Sequence, residues 1–97
     1  MVQTVRSETL SAGHKKIVFE KPLVLQRIFL SIKTVAPVEA WSESWISFDD
    51  PMFYSYYIMA GQAKYFEAKG EGIFQGDVWV LNTSGGDTRY TMTEILM

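Results

Sequence analysis

Turn-forming residues cut this chain into short lengths rich in β-formers, and that spacing constrains its fold more than any other feature. Breaks fall at Ser11-Ala12-Gly13, Lys21-Pro22, Ala36-Pro37, Asp49-Asp50-Pro51, Ala60-Gly61, Gly70-Glu71-Gly72 and Ser84-Gly85-Gly86-Asp87. Proline removes a ladder donor and glycine admits positive φ, so each is a physical stop. Between them Val, Ile, Thr, Phe, Tyr and Trp dominate, as expected of strands. Seven breaks leave about eight segments. The expectation is an all-β, antiparallel, jelly-roll-like β-sandwich of about eight strands in one domain, residues 1–97, with residues 1–14 an N-terminal arm or an edge strand.

Leu23 to Val35 reads as the longest strand, and Ile73 to Leu81 and Thr88 to Leu96 as two more. The turn at 82–87 suits a hairpin between the last two, with Gly85-Gly86 supplying positive φ. Two segments are ambiguous. Val38, Trp41, Trp45 and Ile46 also fit helical spacing, and 59–69 holds helix formers ending at Gly70, a candidate C-cap. The alternation of Ser44, Ile46 and Phe48 and the aromatic crowding at 53–57 favour strands for both, with a short helix over 62–67 left open.

Three segments break the rule that a lone antiparallel sandwich has one dry and one wet face per strand. Leu23–Ile32, Met52–Met59 and Ile73–Leu81 each carry large apolar groups on both sides. Monomers rarely leave such patches bare, and obligate interfaces resemble a core cut in half. The pattern therefore implies a homo-oligomer about a rotation axis, with Phe29, Tyr54, Tyr56, Trp79 and Leu81 as the interface. The rival use of the aromatics is a carbohydrate platform built from Trp41, Trp45 and Tyr57.

Composition narrows the chemistry. The net charge is −2 and Lys15-Lys16 is the one basic doublet, so no nucleic-acid partner is expected. No apolar run reaches membrane-span length, and MVQTVRSETLSAG lacks the layout of a secretory signal, so neither membrane nor signal-directed secretion is expected. There are no cysteines and one histidine, which excludes thiolate zinc sites and leaves His14 in a polar loop. Asp49, Asp50, Asp77 and Asp87 match no calcium loop. Asn82-Thr83-Ser84 is a glycosylation sequon in sequence only. The expectation is no catalytic residue, no metal and no cofactor. Arg27 with Glu94, or Arg89 with Asp77, could pair across strands.

The long strand "VLQRIFLSI", the aromatic strands after it and the late pair "GIFQGDVWVLN" and "YTMTEIL" resemble the small jelly-roll modules of bacteriophage particles: decoration, fibre-tip and receptor-binding domains. That resemblance implies a non-enzymatic structural or attachment protein that self-associates, commonly as a trimer. It implies docking on other particle proteins or a host surface component, and residence in the virion or in host cytoplasm during assembly. No coiled-coil or collagen-like stalk accompanies the chain, which points to a decoration or accessory role rather than a fibre tip.

Overall fold

The structure is a computed structural model, and it describes residues 1–47, 50–67 and 75–97, with side chains for all of these except 43–47 and 50–54. It is all-β: β1 (Val2–Leu10), β2 (Lys15–Phe19), β3 (Arg27–Thr34), β4 (Val38–Ser47), β5 (Asp50–Ile58), β6 (Ala63–Glu67), β7 (Val78–Asn82) and β8 (Thr88–Leu96). Two four-stranded antiparallel sheets run β1-β8-β3-β6 and β2-β7-β4-β5. Successive strands alternate between sheets except for the β4–β5 hairpin, which is a jelly-roll order. The segment 1–14 supplies an edge strand, and both ambiguous segments, β4 and β6, are strands.

Period-two alternation builds the core. Val38, Ala40, Ile58, Val78 and Val80 from one sheet meet Leu10, Leu30, Ile32, Tyr90 and Met92 from the other, with Val18 and Phe19 closing one side. Each fully buried aliphatic side chain here is worth about 1.5–3 kcal/mol against exposure.

Two expectations about connections are corrected. The long strand begins at Arg27, not Leu23. Its ladder partner β8 ends at Leu96, and Gln26 exchanges both backbone hydrogen bonds with Met97. Residues 23–25 form no part of a ladder among the described residues, and Leu23 and Val24 stand 97% and 93% exposed on the loop. Second, residues 83–87 close no hairpin, because β7 and β8 belong to different sheets. Neither Gly85 nor Gly86 takes positive φ; Gly13 and Gly61 do, at 73° and 76°. Asn82 organises the crossing instead. Its fully buried amide donates to Leu10 O and Gly86 O, both at 2.8 Å, while Oδ1 accepts from the backbone and hydroxyl of Ser84.

Among the described residues the charged groups of the interior are Arg27 and Glu94, with Arg27 drawn inward by a register shift between Arg27 and Phe29. Its Nε and Nη2 lie 2.8 Å from Glu94 Oε2, while Nη1 donates to Gly76 O and Nη2 also donates to Glu20 O. Gln75 brackets its backbone from both sides. This is one of the two pairings expected from sequence. Asp77, of the other, accepts from Lys21 N. Burial pushes the guanidinium downward from its ordinary value, with Glu94 opposing.

Candidate functional site: the outer face of the second sheet

The two outer faces differ in character. On the first sheet, outward positions of the central strands are mostly Ser31, Lys33, Thr91 and Thr93, with a Ser7–Thr91 hydroxyl contact at 3.1 Å. Phe29 lies here, tilted against Tyr65 at 6.3 Å. On the second sheet, registers align two rows across four strands: Lys15–Leu81–Glu39–Tyr57 and Ile17–Trp79–Trp41–Ser55. Inward neighbours Val38, Ala40, Val78 and Val80 anchor every one of the central positions.

The two indoles lie parallel, 1° apart in plane with centroids at 6.0 Å. The Lys15 ammonium sits 5.4 Å from the Trp79 centroid. Trp79 thus has neighbours from both adjoining strands, and offset stacking and cation–π contact together contribute on the order of 1–2 kcal/mol. Trp41, on the far side of the stack, borders a shallow depression of about 370 Å³ whose walls also include Leu81, Glu39 and Ser55. At its edge Ser55 Oγ donates to Glu39 Oε1 at 2.6 Å. One carboxylate oxygen is held, which orients the other.

The residues expected from sequence therefore separate. Trp79, Leu81, Trp41 and Tyr57 share this face, and Tyr57 is 58% exposed. Phe29 belongs to the opposite sheet. Tyr56 points inward, half-buried against the core and tilted on Phe66 at 4.7 Å. It cannot form one surface with Trp79. The side chains of Trp45 and Tyr54 lie outside the described residues, as do Asp49, Gly70, Ile73 and Phe74. Of the two-faced segments, the part of the last one that is described as strand is Val78–Asn82. Its outer residues Trp79 and Leu81 are half-buried by cross-strand neighbours rather than bare.

Sequence reading missed Glu39, Ser55, Ile17 and Lys15. Their signal was parity: each stands opposite an aromatic or leucine once the register is known, and register was not available. His14 is exposed in the turn after Gly13, with its carbonyl accepting from Asn82 N. Among the described residues no cluster of three or more His, Asp or Glu is placed to hold a metal, and no helix is long and apolar enough to cross a membrane.

No protein-family model matches the chain, and no curated protein is similar to it in sequence. Among solved structures it is similar to the crystal structure of PirA, with a TM-score of 0.65 at 10% identity, over 94% of this chain and 93% of that one. The likeness is one of fold: two proteins of nearly the same extent share a β-sandwich.

Proposed function

We propose that the chain is a non-catalytic attachment module that recognises carbohydrate through the outer face of its second sheet. The observation that carries this reading is the depression beside Trp41, where an indole wall adjoins the Glu39–Ser55 pair. A pyranose presents an apolar C–H face and a rim of hydroxyls. The ring face suits an indole, and neighbouring hydroxyls suit a carboxylate whose second oxygen is oriented. The volume falls at the small end of ligand pockets, about 300–1,000 Å³, and the site is open, which fits a sugar unit at the surface of a larger glycan.

The test is a glycan array followed by titration calorimetry on the best ligand, with Trp41→Ala and Glu39→Gln alongside the parent. Loss of a central aromatic anchor costs about 2 kcal/mol, roughly thirtyfold in Kd. Trp41→Ala that folds normally by circular dichroism and binds as tightly as the parent would overturn the assignment.

A second reading is the self-associating structural protein, an accessory of a phage or other virion. What favours it is β5, an edge strand whose sequence carries no charged residue from Pro51 to Gly61.

A further inference from the structure

The sandwich has four strand edges, and they are not equally defended. β1 and β2 border one side, where Arg6 donates to Val18 O and lies over Phe19, and Lys16 pairs with Glu8 at 2.9 Å. Charged groups at an edge repel an added strand, because pairing would strip them of water. β6 has five residues and includes Lys64 and Glu67. β5 has nine residues, is charged only at Asp50, and forms the outer edge of the sheet that bears the indoles. The inner side of that edge is closed by its own Tyr56 on Phe66, with Lys64 over the Tyr56 ring.

The sequence of β5 supplies the occupant. Met-Phe-Tyr-Ser-Tyr-Tyr-Ile, residues 52–58, is nearly palindromic about Ser55. Antiparallel pairing of two such strands, centred on Ser55, sets residue 54 opposite 56, residue 53 opposite 57 and residue 52 opposite 58. Aromatic then meets aromatic and aliphatic meets aliphatic, the cross-strand pairs that stabilise sheets by about 0.2–1 kcal/mol each. The exposed serine leaves the axis free of bulk, and antiparallel self-pairing is isologous, so it closes at two copies.

We propose that β5 is an assembly edge: two copies of this chain join their β5 strands about a two-fold axis through Ser55, making one eight-stranded sheet. Self-association here is two-fold, where the resemblance to phage modules implied three. It rests on the second reading above and extends the first. Trp41 and its symmetry mate are three strand spacings apart, roughly 14 Å across the joined sheet, so two platforms face the same way.

The chain has no cysteine, so Ser55→Cys is a clean probe. Directly opposed antiparallel Cα atoms lie about 4.5–5.5 Å apart, within disulfide reach. Ser55→Cys is expected to give a covalent dimer on non-reducing gels under mild oxidation, while Thr9→Cys on the β1 edge stays monomeric on the gel. Light scattering behind size exclusion is expected to give twice the 11.1 kDa chain mass for the parent and for Trp41→Ala alike. A parent monomer at about 100 μM, a trimer, or cross-linking through Thr9→Cys instead of Ser55→Cys would overturn the proposal. Sugar binding by a strictly monomeric parent would sink the dimer and leave the carbohydrate reading standing. A dimeric parent that binds no glycan would do the reverse.

Discussion

Replacing Glu94 by alanine tests whether the interior ion pair holds the two sheets in place. Arg27 is 1% exposed, with four polar contacts reaching Glu94 on β8, Gly76 before β7 and Glu20 after β2. Removing the carboxylate leaves a guanidinium in the interior with two carbonyls as its remaining partners, and breaking a buried pair this way costs about 3–5 kcal/mol. A chain of this length has roughly 5–15 kcal/mol in total. The melting temperature should therefore fall by roughly 12–40 °C, at about 4–8 °C per kcal/mol. The double variant Arg27→Met/Glu94→Leu removes both charges. Its cost is the donors lost to Gly76 O and Glu20 O, about 1–3 kcal/mol, because Glu20 itself is exposed and water replaces its partner. Differential scanning calorimetry and urea midpoints on the parent and both variants decide the matter. A Glu94→Ala fall under about 5 °C, or a double variant less stable than the single one, would refute the argument.

Asn82→Ala should cost about 2–3 kcal/mol in urea unfolding, since two carbonyls and Ser84 N lose their partner. The same burial closes the Asn82-Thr83-Ser84 sequon, so folded protein offered to an oligosaccharyltransferase should show no mass increase. Gly61→Ala should cost about 1–2 kcal/mol for its positive φ, although nothing lies within 4 Å of the added Cβ, while Gly85→Ala should be neutral or slightly stabilising. The Lys16 hydrogen bond holds the Glu8 carboxyl below its ordinary value, so its contribution is present at neutral pH and fades as pH falls below about 4.5. Burial and Glu8 push the Tyr90 phenol up, so that stability is intact below about pH 10 and lost above it. Tyr90→Phe should flatten the alkaline limb of a stability-against-pH curve.

Strand number, fold class and the strand character of β4 and β6 were legible because they rest on local chemistry. Prolines and glycines bound most of the strands, Pro51 near the start of the edge strand β5 excepted, and Tyr90, Met92 and Glu94 alternate whatever their neighbours. Connections were not legible. Residues 83–87 look like a hairpin turn, yet the buried Asn82 turns the chain from one sheet to the other, and an asparagine's depth cannot be read before its neighbours are placed. Leu23 and Val24 extend the β pattern, but a strand needs a partner, and a partner is a matter of topology that side-chain type does not encode. The candidate site was half legible for the same reason. Trp41, Tyr57, Trp79 and Leu81 stand out by type, whereas Glu39 and Ser55 acquire meaning only from the register that sets Trp41 between Trp79 and Ser55.

The second face of Val78–Asn82 is covered in part within the chain itself, which bears on where the proposed interface would lie. Trp79 and Leu81 are half-covered within their own chain by Ile17, Lys15 and Trp41, so these two central residues present no large bare patch to bury. Among the described residues Tyr57 stays open at the margin of the second sheet, on the β5 edge, which carries no charge from Pro51 onward, beyond the depression beside Trp41. A face-to-face dimer would bury the depression and strand the Glu39 carboxylate without water, a cost of the kind that unpaired buried charges carry. Edge pairing leaves Glu39 solvated and the indole wall open. The proposed ligand recognition on the face and the proposed self-association at the edge are thus compatible on one sheet, and the placement of Glu39 away from the β5 edge favours keeping them apart.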